Sequence, residues 1–342
     1  MPLDIEDFDA LRNYLTTRGC VKLDETVSFN NLRGGVSNRT VKVEWADGHG
    51  WVLKQALAKL RVNVDWFSSP ERILVEARAL RWLNRLAPPG TTPSFTFEDA
   101  ANHLMAMEAI SQDHENWKSV LLSGRIILDQ FEQFGYLLGT IHRKSADSAP
   151  EVSKAFGDTS YFESLRLGPY YYYAAQQSPA AAGFLRALAE ETLHHKLSLV
   201  HGDFSPKNTL VYRGKLILLD YEVVHFGDPT FDVGFGLTHF LSKAHHLQRH
   251  RASMANAAAV FWRAYFKEIA ALCWNGIEPR TVRHTLGCLL ARVVGKSPLE
   301  YLTAHEATRQ KDATLQLIAN PPTTIEHLIA AFIQKIEAHA QD

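Results

Sequence analysis

Apolar residues at the amino end recur at helical intervals. Ile5, Phe8, Leu11 and Leu15 stand three or four apart and Gly19 follows, which predicts a helix over 4–19. The period then changes. TVSFNNL (26–32), RTVKVEW (39–45) and WVLKQA (51–56) are rich in β-branched and aromatic residues, and Asp47-Gly48 supplies a tight turn between the last two. Three sequential antiparallel strands are predicted. PERILVEARALRWLNRL (70–86) opens on Pro70, which a first helical turn tolerates, and aligns Ile73, Leu74, Leu80 and Leu83 on one face. Pro88-Pro89-Gly90 ends this helix, and SFTFEDA and HLMAMEAI read as two more strands around Ala101-Asn102.

From 125 onward the helical period dominates, most clearly in RIILDQFEQFGYLLGTIHRKS (125–145). Further helices are predicted at 180–195, 232–246, 250–272, 281–294 and 323–339, with Pro279, Pro298 and Pro321-Pro322 as breaks. Strand signals return only at 198–223. The expected architecture is α+β: residues 1–110 form a small antiparallel-sheet lobe with one main helix, and residues 111–342 form a larger, mostly helical lobe.

The composition narrows the partners. Lys plus Arg number 36 against 37 for Asp plus Glu in 342 residues, so no net field attracts nucleic acid or an anionic membrane, and a charged ligand must be met locally. Cys20, Cys273 and Cys288 lack metal-ligand spacing and a disulfide framework. The amino end is acidic and amphipathic, and no run of about 18 uncharged apolar residues occurs. A cytoplasmic, soluble protein is expected, as monomer or homodimer.

The chemistry gathers in LVHGDFSPKNTLV (199–211). Asp203 and Asn208 are five apart, the spacing of the Asp and Asn in the kinase catalytic loop H-R-D-x-x-x-x-N, where the carboxylate takes a hydroxyl proton and the amide oxygen reaches metal. Twelve residues on, after KLILL, a hairpin would bring Asp220 beside Asn208. Asn208 and Asp220 are thus candidate ligands for magnesium, which favours a few hard oxygens. Gly34 and Gly35 lie between two strands, where backbone N–H groups can cover phosphates. Lys54 sits on the third strand and Glu76 on the following helix, an ion pair that steadies a phosphate clamp. Each feature alone has a plain structural reading as a turn, a hairpin or a solvated charge. Their order along the chain assembles one nucleotide site between two lobes.

Over roughly residues 26–245 the chain resembles the protein-kinase-like small-molecule phosphotransferases: aminoglycoside phosphotransferases, choline kinases and methylthioribose kinases. HGDFSPKNTLV (201–211) and LLDYEVVHFGDPTFDVG (218–234) look like that family's H-G-D-x-x-x-x-N, I-D-x-E and G-D-P-x-x-D signatures. The resemblance implies a protein-kinase-like two-lobe fold that uses ATP and Mg2+ to phosphorylate a hydroxyl of a sugar, amino sugar, aminoglycoside or amino alcohol. It makes Asp203 the base, Asn208 and Asp220 the magnesium ligands, Lys54 the phosphate clamp and Glu76 its partner. It also makes MEAI (107–110), through Glu108 and Ile110, the adenine hinge. Asp232 is expected to anchor the catalytic-loop backbone and His201 to brace it.

The chain departs from the pattern of protein kinases in ways that favour a small-molecule acceptor. Ser205 replaces a catalytic-loop lysine, and Asp220-Tyr221-Glu222 replaces Asp-Phe-Gly. With few glycines in the nucleotide loop, Ser37 and Asn38 are expected to share phosphate coverage. VLKQALAKLRV (52–62) looks like the lysine strand of methylthioribose kinases. A nucleotide-binding pseudokinase or regulatory module, and a protein adenylyltransferase, are the competing readings.

Several residues stay open. Tyr170 to Tyr173 could box a cationic substrate or simply pack. Arg292 and Lys296 could meet an anionic substrate group or be solvated, and Lys207 could touch the γ-phosphate or solvent. Gly295-Lys296-Ser297 is no P-loop, because Leu290 stands where a glycine is required. His239, His245 and His246 lack the partners of a metal site.

Overall fold

The computed structural model describes residues 3–32, 35–61 and 66–338. Strands β1 (Val27–Asn31), β2 (Asn38–Trp45), β3 (Gly50–Ala56), β4 (Phe95–Asp99) and β5 (Leu104–Glu108) form one antiparallel sheet in the order β1-β2-β3-β5-β4. Period-2 alternation divides its side chains between two cores. Leu53, Leu104 and Ala106 join Val41 and Val43 against Ile5, Leu11 and Leu15, the last two on helix α1 (Phe8–Thr17). Met105 and Met107 face the other way, against Ile73, Ala77, Leu80 and Leu83 of α2 (Arg72–Leu86). Lys54 shares that second face with Val52 and pairs in register with Thr40 and Met105.

The remainder is mostly helical. After β6 (Glu115–Asn116) come α3 (Trp117–Leu122), α4 (Leu128–Asp147) and α5 (Ala149–Phe156). Then follow α6 (Ser160–Phe162), a π-helix (Glu163–Tyr172), α7 (Tyr173–Gln177) and α8 (Ala182–His194). Short strands β7 (Ser198–Val200), β8 (Thr209–Tyr212), β9 (Lys215–Leu218) and β10 (His225–Gly227) flank the turns at 201–208 and 219–224, with β8 and β9 a hairpin. The chain ends in α9 (Thr230–His246), α10 (Arg251–Ile269), α11 (Ile277–Val294), α12 (Ala304–Ala319) and α13 (Ile325–Ala338). The fold is α+β, a small sheet region followed by a larger helical part. Among the described residues no helix is long and apolar enough to cross a membrane.

Helix α4 is the spine of the helical part. It packs on α10 at glycine contacts: a Cβ at Gly135 would stand 2.9 Å from the Ala264 Cβ, and one at Gly139 2.5 Å from the Glu268 Cβ. Phe134 of α4 stacks on Phe204 with ring centres 3.9 Å apart and meets Trp117 at 4.8 Å and Phe261 at 5.5 Å. Phe204 directly follows Asp203, so this core also fixes the loop that carries it.

Three expectations change. Pro279 lies in the first turn of α11, which begins at Ile277, because proline breaks a helix only where an interior N–H is needed. The runs 149–156, 160–177 and 304–319 are helical although no helix was predicted in 149–177 or 304–319. In the first, Gly157, Gly168 and Pro169 obscure the period, and Pro169 is accommodated inside the π-helix. In the second, Thr303 and Glu306 form a capping box, a start signal readable in the sequence.

Candidate active site

A cleft of about 780 Å3 opens between the sheet and the helical part. Gly35, Ser37, Asn38, Lys54, Glu108, Ile110, Asn208 and Asp220 all line it. Gly34 lies outside the described residues. Glu76 is buried behind Lys54, and Asp203 stands beside Asn208 at the edge of the same cleft.

The lysine on β3 is fixed from both sides. Lys54 Nζ donates to Glu76 Oε1 at 2.5 Å and to Asp220 Oδ1 at 2.8 Å, which ties the sheet, α2 and the end of the β8–β9 hairpin together. Burial opposes its charge, but Asp220 and Glu76 outweigh burial and hold the ammonium above its ordinary range. Asp220 is likewise opposed by burial, yet Lys54 holds its carboxyl down at about 2. Glu76, wholly buried, is pushed upward, since burial and the nearby Asp220 and Glu222 exceed the pull of Lys54. Arg72, one turn before Glu76, donates from Nε to Glu222 Oε2 at 3.0 Å and from Nη2 to the Ser37 carbonyl. Arg72 therefore links the segment at Ser37 to the Asp220-Tyr221-Glu222 segment.

The loop that carries Asp203 is built around a buried carboxylate. Asp232, in the first turn of α9, accepts from the backbone N–H of His201 at 2.6 Å and of Gly202 at 2.7 Å. Burial opposes its ionisation, but the His142 hydrogen bond and His201 hold it ionised, below the usual carboxylate range. Gly202 has φ +77°, and a Cβ there would lie 2.8 Å from Val223 Cγ2, so the turn needs glycine. His201 is buried and kept neutral by that burial. Its Nδ1 accepts from the Asp203 N–H at 3.1 Å while Nε2 donates to the Leu219 carbonyl at 3.2 Å, bracing the loop against the hairpin.

Asn208 is held to Asp203. Its Nδ2 donates to Asp203 Oδ2 at 2.7 Å and to the Asp203 carbonyl at 3.1 Å, and its own carbonyl accepts from the Leu219 N–H at 2.9 Å. With the amide hydrogens turned to Asp203, the amide oxygen is left for the cleft. One residue past Leu219, Asp220 takes φ +70° and so points its carboxylate at Lys54 and the cleft. Oxygens of Glu76, Asp220 and Glu222 lie within 4.8 Å of one another. Glu76 and Glu222 are buried behind the cleft on Lys54 and Arg72, whereas Asp220 and Asn208 line it, so their oxygens are the hard-oxygen pair that could hold magnesium there.

Two functional groups escaped the sequence reading. Arg166, buried in the π-helix, sets Nη2 3.0 Å from Asp203 Oδ2 and donates from Nε to the Gly202 carbonyl at 2.7 Å. Both Arg166 and Asn208 use Oδ2, so among the described residues Asp203 Oδ1 has no partner. Arg72 is the second. Neither has a spacing rule, because their partners lie 37 and 150 positions away along the chain. The open residues also find places. Lys207 is exposed on the cleft wall. Tyr171 donates toward His284 Nδ1 at 2.7 Å inside the core, and Tyr172 faces solvent. Among the described residues no metal-holding cluster includes His239 or His245, both buried, while His246 meets Glu306 at 3.1 Å.

The family model described as "Phosphotransferase enzyme family" matches residues 28–274. Methylthioribose kinase of Citrobacter koseri is 28% identical over 215 residues, covering 56% of this chain and 53% of that protein. The chain thus spans about half the length of the curated relatives it matches. A choline/ethanolamine kinase family protein from Mesorhizobium loti superposes with a TM-score of 0.52 at 15% identity, covering 97% of this chain and 99% of that one. An amicoumacin kinase in complex with AMP-PNP, Ca2+ and Ami gives a TM-score of 0.56 at 13% identity, covering 92% and 95%. These likenesses establish the protein-kinase-like fold.

Proposed function

The chain belongs to the phosphotransferase enzyme family, and from that premise we propose that it is an ATP-dependent kinase of a small hydroxylated molecule. The observation that carries the reading is the paired geometry across the cleft. Lys54, tied to Glu76 and Asp220, faces the Asp203–Asn208 pair, as phosphoryl transfer requires. In this reading residues 1–110 are the nucleotide lobe, with Glu108 and Ile110 at the adenine, and 111–342 carry the acceptor. Gly34, Gly35, Ser37 and Asn38 cover the phosphates.

The acceptor oxygen forms a bond to the γ-phosphorus while the bond from that phosphorus to the β,γ-bridging oxygen breaks, and ADP leaves with the electron pair. Asp203 Oδ1 takes the hydroxyl proton, and Arg166 and Asn208 on Oδ2 fix the direction of that oxygen. Lys54 offsets charge on the phosphates. Mg2+, held by Asn208 and Asp220, supplies further charge neutralisation when bound. Where protein kinases carry a catalytic-loop lysine, this chain has Ser205, and Arg166 provides the neighbouring cation.

A small-molecule acceptor is supported by two features. Residues 221–229 are all that separate Asp220 from α9, too short a stretch for the activation loop that protein kinases carry there. The relative named methylthioribose kinase points the same way.

Asp203→Asn is predicted to lower ATP-dependent phosphorylation by about 10³-fold while AMP-PNP binding holds within about twofold. The assay is ADP formation and product mass across sugars, amino sugars, amino alcohols and aminoglycosides. Turnover equal to the parent chain would remove Asp203 as base. Pyrophosphate in place of ADP would indicate adenylylation, and nucleotide binding without either product a pseudokinase.

A further inference from the structure

Two buried cations of the helical part, Arg292 and Lys243, have no acidic counterweight among the described residues. Arg166, which grips Asp203, stands four residues before Tyr170, and the Tyr170 hydroxyl accepts from Arg292 Nη1 at 2.9 Å. The other partners of Arg292 are the carbonyl and hydroxyl of Ser297, at 2.6 and 3.0 Å, all neutral. Its Nε is buried with no partner. Lys243 is 0% exposed and, among the described residues, donates only to the His239 carbonyl at 3.3 Å, with its ammonium 5.2 Å from the centre of the Tyr301 ring. The Tyr301 hydroxyl is also buried without a partner.

Among the described residues no carboxylate lies within ion-pair distance of Arg292 or Lys243. Glu300, the one acid whose charge offsets that of Lys243, is taken by Lys118. Ser297, which Arg292 holds, and Tyr301, whose ring lies against the Lys243 ammonium, belong to one short segment that also carries Glu300, so the two cations flank one region. Lys118, Lys207 and Glu300 also line the nucleotide cleft, so that region adjoins the phosphates. Burial, then Lys118 and Arg292, push Lys243 down to about 7, with Glu300 alone opposing.

Buried cations without counterions are costly, and buried donors without acceptors add to the cost. An oxyanion would satisfy Arg292 Nε, the Lys243 ammonium and the Tyr301 hydroxyl together. A cationic acceptor would meet repulsion instead. The tyrosine run offers it no box: Tyr170 is engaged by Arg292, Tyr171 by His284, and Lys296 lies 5.5 Å over the Tyr173 ring. Building on the kinase reading above, we propose that the acceptor carries an oxyanion, a phosphate or carboxylate group, and that Arg292 with Lys243 seats it.

The test uses the full chain saturated with AMP-PNP and Mg2+, so that the nucleotide's phosphates fill the Lys54 site. Inorganic phosphate and acetate replace chloride at matched ionic strength, and thermal unfolding is followed. At least one of the two should raise Tm by about 2 °C or more over chloride, and which one does so distinguishes a phosphate ester from a carboxylate. Arg292→Gln and Lys243→Met should abolish that rise while keeping the AMP-PNP shift, and Arg292→Lys should restore part of it. Should either variant fail to fold, Tyr170→Phe, which removes the hydroxyl orienting Arg292, should weaken the rise. No rise in the parent chain with either anion, or an undiminished rise in the folded variants, would overturn the proposal. Absence of an AMP-PNP shift in the parent chain would instead count against the kinase reading.

Discussion

At the scale of single residues, Lys54 has the most exacting position. Its ammonium is the only described cation touching both Glu76 and Asp220, and Glu222 adds a third carboxylate within reach. Removing it with Lys54→Met leaves Glu76 fully buried beside two acids. Breaking a buried pair in this way costs about 3 kcal/mol or more, unless the stranded acid takes up a proton. Glu76 is already pushed upward by burial, so the variant should hold it protonated at low pH. An acid whose folded pKa exceeds its unfolded value loses stability as pH rises through that interval. Lys54→Met is therefore expected to be more destabilised, relative to the parent chain, at pH 8 than at pH 6 in urea unfolding. ATP affinity should fall at both. Lys54, Glu76, Asp203, Asn208 and Asp220 could be picked out in the sequence because each sits at a set offset from a turn or strand end, and the structure brings them together. Arg166 could not: LRLGPYYYY announces tyrosines, and only the fold carries its arginine to Asp203.

At the scale of elements, packing explains what the hydrophobic pattern missed. Helix α4 was plain in its period, but its closeness to α10 depends on Gly135 and Gly139, which a pattern of apolar positions does not score. Gly135→Ala should lose about 1–3 kcal/mol to overpacking against Ala264, less the roughly 1 kcal/mol that alanine returns through helix propensity. Gly183 in α8 has nothing within 4 Å of an added Cβ, so Gly183→Ala should be neutral or stabilising. Urea midpoints of the two variants read the contrast, and equal effects would show that helix contact is not what keeps Gly135 small. The sheet and its hairpins were legible for a related reason, since alternation and Asp47-Gly48 are local. The π-helix at 163–172 was not, because its glycine and proline read as a break until the surrounding helices hold it in place.

At the scale of the whole molecule, neutrality in the sequence hides a sorted interior. The chain balances 36 basic against 37 acidic side chains, yet the helical part keeps several histidines buried and uncharged. His225 and His284 are each lowered to about 4 by burial, and His201, His239 and His245 are lowered for the same reason. A histidine whose folded pKa is depressed binds its proton more readily unfolded, so stability is lost as pH falls from about 6.5 toward 4. His225 and His284 each cost about 2 kcal/mol by pH 5, and Glu76 works in the opposite sense over the same interval. The individual contribution is best isolated at His284, whose Nδ1 meets the Tyr171 hydroxyl at 2.7 Å and whose Nε2 meets Thr192 Oγ1 at 3.4 Å. His284→Asn should be less stable at pH 7 because those contacts weaken. Between pH 6 and 5 its stability should fall less steeply than that of the parent chain, by about 1 kcal/mol per pH unit, since one fewer proton is taken up on unfolding. Urea unfolding at pH 7, 6 and 5 reads both quantities, and an unchanged slope would mean that His284 is not held neutral by the fold.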